Sequence, residues 1–145
     1  MQRQCGLALT AGVLFLRAVV AAPTWGERAQ EADRAQQAGR YAEAAELFRA
    51  LLEEAHTFPP GDPRLGRALN NLAAIEFHMG KYTEAEKLYR HARLSVDPAH
   101  DLPVTLNNLA ALLRITGRYA EAESLYREAI ATGGDMPAAW NNLAE

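Results

Sequence analysis

Three pairs of adjacent side-chain amides punctuate this sequence: Asn70-Asn71, Asn107-Asn108 and Asn141-Asn142, each followed by Leu-Ala. A primary amide carries donors and an acceptor on one planar group, so it can answer both the N–H and the C=O of an extended backbone. Set one per structural unit, such amides would grip a peptide with little regard to its sequence. That is binding chemistry, not bond making. The groups that make and break bonds are poorly placed. His78 and His91 fall on different segments without an HExxH-type spacing, and His56 and His100 are scattered. Ser95 and Ser124 have no base and orienting acid in a recurring arrangement. Gly39, Gly80 and Gly117 stand singly and form no phosphate-cradling loop. Cys5 is the single cysteine, which excludes an intrachain disulfide and a cysteine-built metal site. The expectation is a protein that is not an enzyme, with no catalytic residues, no cofactor and no metal. A formal charge of -3 without a run of Lys or Arg speaks against nucleic acid as partner.

The amide pairs sit in repeated surroundings. Asn70–Ala92, NNLAAIEFHMGKYTEAEKLYRHA, lies over Asn107–Ala129, NNLAALLRITGRYAEAESLYREA, with 14 of 23 positions identical. The offset is 37 residues, the third NNLA follows after 34, and a weaker copy, AGRYAEAAELFRALL, begins at Ala38. Self-similarity at such a period marks a stack of supersecondary units. Each unit reads as two helices. Leu106, Leu109, Ala110 and Leu113 share one face at helical spacing, as do Leu69, Leu72, Ala73 and Met79. Gly80 and Gly117 end these first helices. Tyr82, Ala85, Leu88, Tyr89, Ala92 and Tyr119, Ala122, Leu125, Tyr126, Ala129 then line the second ones. Asp62-Pro63 is a helix start, with an N-cap followed by a first-turn proline. The recurring alanines mark places where helices cross closely. Glu43, Glu46, Glu84, Glu86, Glu121, Glu123 and Glu128, interleaved with Arg118 and Arg127, read as a solvated outer face.

The first helix of the earliest copy, Trp25–Ala38, departs from the pattern: Glu31 stands where the others have Leu, and only Ala29, Ala32 and Ala35 mark an inner side. It reads as a more polar N-terminal cap. Ahead of it, Arg3, the uncharged run Leu7–Leu16 and the small residues Val19–Ala22 have the layout of a secretory signal. Cleavage is expected after Ala21 in preference to Ala22, because Pro23 would directly follow a cut at Ala22. The run is too short to span a bilayer as an ordinary helix. Its removal would take Arg3 and Arg17, and no acid, moving the formal charge from -3 to -5. The division expected is therefore a signal over 1–22, a partial unit over 25–65, units over 66–102 and 103–136, and an incomplete unit over 137–145. The destination is periplasmic or secreted, with a cytoplasmic or N-terminally membrane-anchored chain as the alternative.

These residues resemble a tetratricopeptide repeat protein, and within that family the kinesin-light-chain-like subgroup. The large residue early in the first helix falls at Leu69, Leu106 and Trp140, and the Leu-small pair at Leu72-Ala73, Leu109-Ala110 and Leu143-Ala144. The second helix matches at Ala44, Ala85 and Ala122, then at Phe48, Tyr89 and Tyr126, and at Ala92 and Ala129. The resemblance implies an all-α fold, an α-solenoid of antiparallel helix pairs whose first helices line a concave face. It implies that this face takes a peptide or helix of a partner protein. By position, the candidate peptide-binding residues are Arg67, Asn70, Phe77 and His78, then Asn107, Arg114 and Ile115, then Asn141. Asn70 and Asn107 are expected to face the groove, while Asn71, Asn108 and Asn142 tie the structure. Arg67 and Arg114 either meet acidic groups on the peptide or are solvated. Phe77 with Ile115 forms either an apolar hook or ordinary packing. A repeat fold does not fix a role, so two further readings stand: a structural or oligomerising module, or the N-terminal part of a longer repeat protein. In both, a partner surface should cover Trp140, Leu143 and the faces of Leu125 and Tyr126 at the C-terminal edge.

Overall fold

The computed structural model describes residues 22–98, 101–133, 137, 141 and 142. All but the last residue of the expected signal over 1–22, and most of the segment carrying the third NNLA, lie outside the described residues. Among the described residues six full helices follow one another: α1 (Trp25–Gln37), α2 (Tyr41–Ala55), α3 (Pro63–His78), α4 (Tyr82–Ser95), α5 (Leu102–Ile115) and α6 (Tyr119–Gly133). They form three antiparallel pairs, and there is no strand among the described residues. Each helix packs on its neighbours in sequence, with an added contact between α3 and α5, the first helices of successive pairs.

Local chemistry sets the helix ends. Thr24 and Glu27 make a reciprocal capping box at the start of α1. Asp62 accepts from the Arg64 N–H at 3.0 Å, and Pro63 follows it as the first residue of α3. Each pair turns through the same corner. The Gly80 N–H donates to the Phe77 carbonyl at 2.9 Å, and the Lys81 N–H reaches back to Glu76 at 2.9 Å. That is the Schellman pattern, which satisfies carbonyls the helix leaves open. Gln36–Arg40 and Arg114–Arg118 repeat it. The pattern demands a left-handed residue, and Gly80 (φ 75°) and Gly117 (φ 82°) supply it without a Cβ penalty.

The interior is a chain of apolar clusters, not a single core. One cluster joins α1, α2 and the inner side of α3 around Ala35, Phe48 and Ile75. A second joins α3 to α6 around Tyr89, Leu109 and Tyr126. A small third, Leu69, Ala92 and Val96, sits between them. The alanines expected at close crossings, Ala73, Ala85, Ala92, Ala110, Ala122 and Ala129, are all buried. Each is a site where a larger side chain would overpack the crossing, at about 1–3 kcal/mol.

Three features of the interior differ from the sequence reading. Trp25 is buried, and its indole N–H donates to the Leu51 carbonyl at 3.1 Å, pinning the start of α1 to the end of α2. With Ala29, Ala32 and Ala35 completely buried, α1 is a packed member of the stack. Glu76 is 4% exposed and pairs with Arg49 of α2 and with Lys81, whose Nζ is 3.2 Å away. The face read as merely solvated is stitched across pairs. Arg118, just ahead of α6, reaches Glu86 of α4 at 2.7 Å, and Arg93 of α4 reaches Glu128 of α6 at 2.7 Å. Burial pushes the Glu86 carboxyl up, but hydrogen bonds from Arg118 and Arg90 outweigh it and hold the group below its ordinary value.

Candidate functional site

The first helices α1, α3 and α5 run side by side and share one face. Its N-terminal half holds a groove of about 610 Å³. Asp33 of α1, Arg67, Asn70 and Asn71 of α3, and Val104 and Thr105 of α5 line it. The polar groups cross-link neighbouring first helices. The Asn71 amide donates to Asp33 at 3.3 Å, Arg67 donates to Asp33 at 3.2 Å, and the Thr105 hydroxyl donates to the Asn70 oxygen at 3.2 Å. Thr105 has one hydroxyl proton, and the Asp101 carbonyl also stands 3.0 Å away. The Asn70 bond is therefore shared and the weaker for it. One step along the stack, Asn142 donates to the Asn107 oxygen at 3.3 Å.

Past the middle of α3 the character of the face changes. Ala74, Phe77, His78, Asn108 and Ala111 border a small depression of about 130 Å³. His78 stacks on Tyr41 with ring centroids 5.2 Å apart and planes 11° from parallel. Phe77 meets the His78 ring edge-on at 5.7 Å and tilts against Tyr82 at 5.6 Å. The same side thus runs from amides and charges at one end to aromatic rings at the other.

Of the residues expected here, Arg67 and Asn70 meet in one groove and Phe77 and His78 in the next depression. Asn70 lines the groove and Asn71 and Asn142 tie neighbouring first helices, as expected, but the division within the first pair is not exclusive. Asn70 and Asn71 both line the groove, both are half-buried and both bond an adjacent first helix. Asn108, expected to be structural, borders the depression. Asn107 and Arg114 are half-buried outside both hollows, and Asn141 is an exposed helical residue. Ile115 is 54% exposed at the end of α5, while Phe77 packs against the inner core and the rings beside it. Sequence reasoning missed Asp33, Tyr41 and Thr105, each of which sits one repeat or less from a residue that it named.

A larger hollow of about 660 Å³ lies on the loop side, lined by Phe58, Pro59, Pro60, Leu65, Leu94 and Val96 among others. At its rim the Arg64 guanidinium lies 3.6 Å over the Phe58 ring while bonding the Asp62 carboxylate, which it holds at about 2. Among the described residues no cluster of three or more His, Cys, Asp or Glu is placed to hold a metal ion. No helix among them is long and apolar enough to cross a membrane.

The sequence profile of the tetratricopeptide repeat matches residues 31–93 and 64–132. The chain belongs to the tetratricopeptide repeat family. Solved structures agree on the fold of this repeat protein. BtubC (BKLC) from P. vanneervenii superposes with a TM-score of 0.71 at 24% identity, over 82% of this chain and 53% of that one. The kinesin light chain TPR-like repeats from Podosopora anserina give 0.68 at 23% identity, over 81% and 62%. The Yersinia enterocolitica secretion chaperone SycD, solved with a peptide of the translocator YopD, gives 0.67 at 25% identity, over 87% and 88%. The repeat protein thus spans about half the length of the first of these. No match is found among curated proteins.

Proposed function

We propose that this chain is a non-catalytic interaction scaffold that takes an extended segment of a partner protein along α1, α3 and α5. The groove of about 610 Å³ carries the reading. Its amides are half-exposed, and their present bonds are shared or lie at 3.2–3.3 Å, long for a hydrogen bond. A peptide backbone offering a donor and an acceptor can therefore replace them at little cost. SycD, of the same fold, is solved with a bound peptide, which supports such use of the fold. The test is a peptide-array screen of wild type against an Asn70→Ala/Asn71→Ala pair, which removes both amides of the groove, with melting curves to confirm folding. Binding weakened by about tenfold or more is expected. Undiminished binding of every captured peptide by the folded double variant overturns the reading.

A second reading, self-association at the C-terminal side, is favoured by one observation. Tyr41 is half-buried under His78 of the next first helix, whereas its counterpart Tyr119 is 68% exposed, and Ile115 at the end of α5 is exposed too. Of the residues expected to need a partner, Leu125 and Tyr126 are buried within the chain, and Trp140 and Leu143 lie outside the described residues. Sedimentation over a range of concentrations tests it, and a monomer throughout rejects it. The proposal also places the mature chain in the periplasm or outside the cell, on the strength of the apolar Leu7–Leu16 run. N-terminal sequencing of the native protein supports this if the chain starts after Ala21 or Ala22, and rejects it if Met1 is retained.

A further inference from the structure

Where α1 ends against the corner of α2, a cavity of about 350 Å³ opens onto the same face. Asp33, Gln36 and Gln37 of α1, Tyr41 of α2 and His78 of α3 line it. Its chemistry is one-sided. Asp33 supplies the sole formal charge among the lining residues. The two glutamine oxygens and the Tyr41 hydroxyl add neutral acceptors. Tyr41 and His78 add two flat, nearly parallel rings.

We infer that this cavity is a subsite for a basic side chain of the bound segment, arginine in preference to lysine. A guanidinium is planar, stacks on ring faces and pairs with a carboxylate through a fixed fork, whereas an ammonium offers only a compact point charge. The protein already builds this arrangement internally: Arg64 lies over Phe58 and bonds Asp62 through two nitrogens. Asp33 with Tyr41 and His78 offers the same pair of partners, a carboxylate and aromatic rings, to a side chain from outside.

Asp33 is not free, since it accepts from Arg67 and Asn71. Those bonds leave capacity, however. Each carboxylate oxygen takes two donors, and each here accepts one, at 3.2 and 3.3 Å. The Arg67 pair is also largely solvated, with side-chain exposures of 51% and 30%, so it contributes little to stability and yields readily to an incoming guanidinium. Arg67 released from Asp33 then faces the groove alongside Asn70, ready for an acidic group further along the same segment.

The subsite rests on the groove reading for its biological ligand, but it is testable alone. The probes are blocked arginine, N-acetyl-arginine amide, and its uncharged isostere, N-acetyl-citrulline amide, titrated while the Tyr41 and His78 ring signals are followed by NMR. Arginine is expected to shift both rings saturably and citrulline to leave them unmoved. Asp33→Asn should weaken the response by about fivefold or more, and Gln36→Lys, which adds a cation without touching the Asp33 bonds, should abolish it. An equal response to citrulline, no ring shift with arginine, or full binding by folded Gln36→Lys overturns the subsite. The two readings fail separately. Array peptides that need Asn70 but show no preference for arginine remove the subsite and keep the groove. Arginine at the corner with no peptide dependent on Asn70 removes the groove and keeps the subsite.

Discussion

Replacing Gly66 by alanine puts one methyl group where α3 comes against the backbone at the end of α4. A Cβ at this position would lie 2.6 Å from the Ser95 carbonyl oxygen and 2.8 Å from both the Ser95 carbonyl carbon and the Val96 Cα. All three are backbone atoms at the end of α4, so no side chain can swing away to make room. Ordinary contact needs roughly 3.5 Å, so α3 and α4 must part by several tenths of an ångström. That disturbs the small cluster of Leu69, Ala92 and Val96 lying alongside. Overpacking of this kind costs about 1–3 kcal/mol. Against it stands the gain from replacing glycine inside a helix, about 0.5–1 kcal/mol. The net expectation is a loss of about 1–2 kcal/mol, or a fall in melting temperature of about 5 °C for a chain of this size. Gly26 of α1 is the internal control. Only the Thr24 hydroxyl, at 3.9 Å, lies near its added Cβ, so the same substitution there should raise the melting temperature or leave it unchanged. Thermal unfolding followed by far-UV circular dichroism measures both. A Gly66→Ala protein as stable as wild type would refute the close-approach argument.

Glu76→Leu should be neutral or stabilising by about 1–2 kcal/mol, because it removes a buried carboxylate and places at 76 the residue type that its copy, Leu113, already buries completely. Arg49 and Lys81 keep 42% and 48% of their side chains exposed and can rehydrate, so a clear loss in chemical denaturation would contradict this. Stability should also fall in acid. Asp62, Glu86 and Glu121 all have carboxyls held below their ordinary values by arginine hydrogen bonds. Groups depressed in the folded state stabilise it above their unfolded values, near about 4, and lose that contribution as pH falls through the folded values, Asp62 last at about 2. Urea midpoints that stay flat across that window would refute it.

Much of this architecture could be read from the chain because the repeat writes its local signals several times. The glycine corners, the Asp62-Pro63 start and the alanine crossings are short-range chemistry, legible within a few residues. What stayed hidden depends on partners one repeat away. Trp25 looks like a lone aromatic until the Leu51 carbonyl, 26 residues on, is brought to its indole. Glu76 sits in a stretch that offers no hint of burial until Arg49 arrives from α2. Arg93 and Glu128 look like solvated charges when compared only three or four residues at a time. They are 35 residues apart and bonded. Opposite charges spaced by about one repeat were the available signal. The overlap of duties within the first amide pair was hidden for the same reason: the bonds of Asn70 and Asn71 go to Thr105 and Asp33 on flanking repeats.

The succession of separate apolar clusters has a mechanical consequence. With each helix leaning mainly on its neighbours in sequence, strain applied at one end passes pair by pair. The stack can lengthen, twist or shed a terminal pair while the remainder holds. Amide exchange should accordingly be graded along the chain instead of collapsing in one step. A segment bridging α1, α3 and α5 would act as a splint on this spring, setting its pitch by the spacing of the groups it joins.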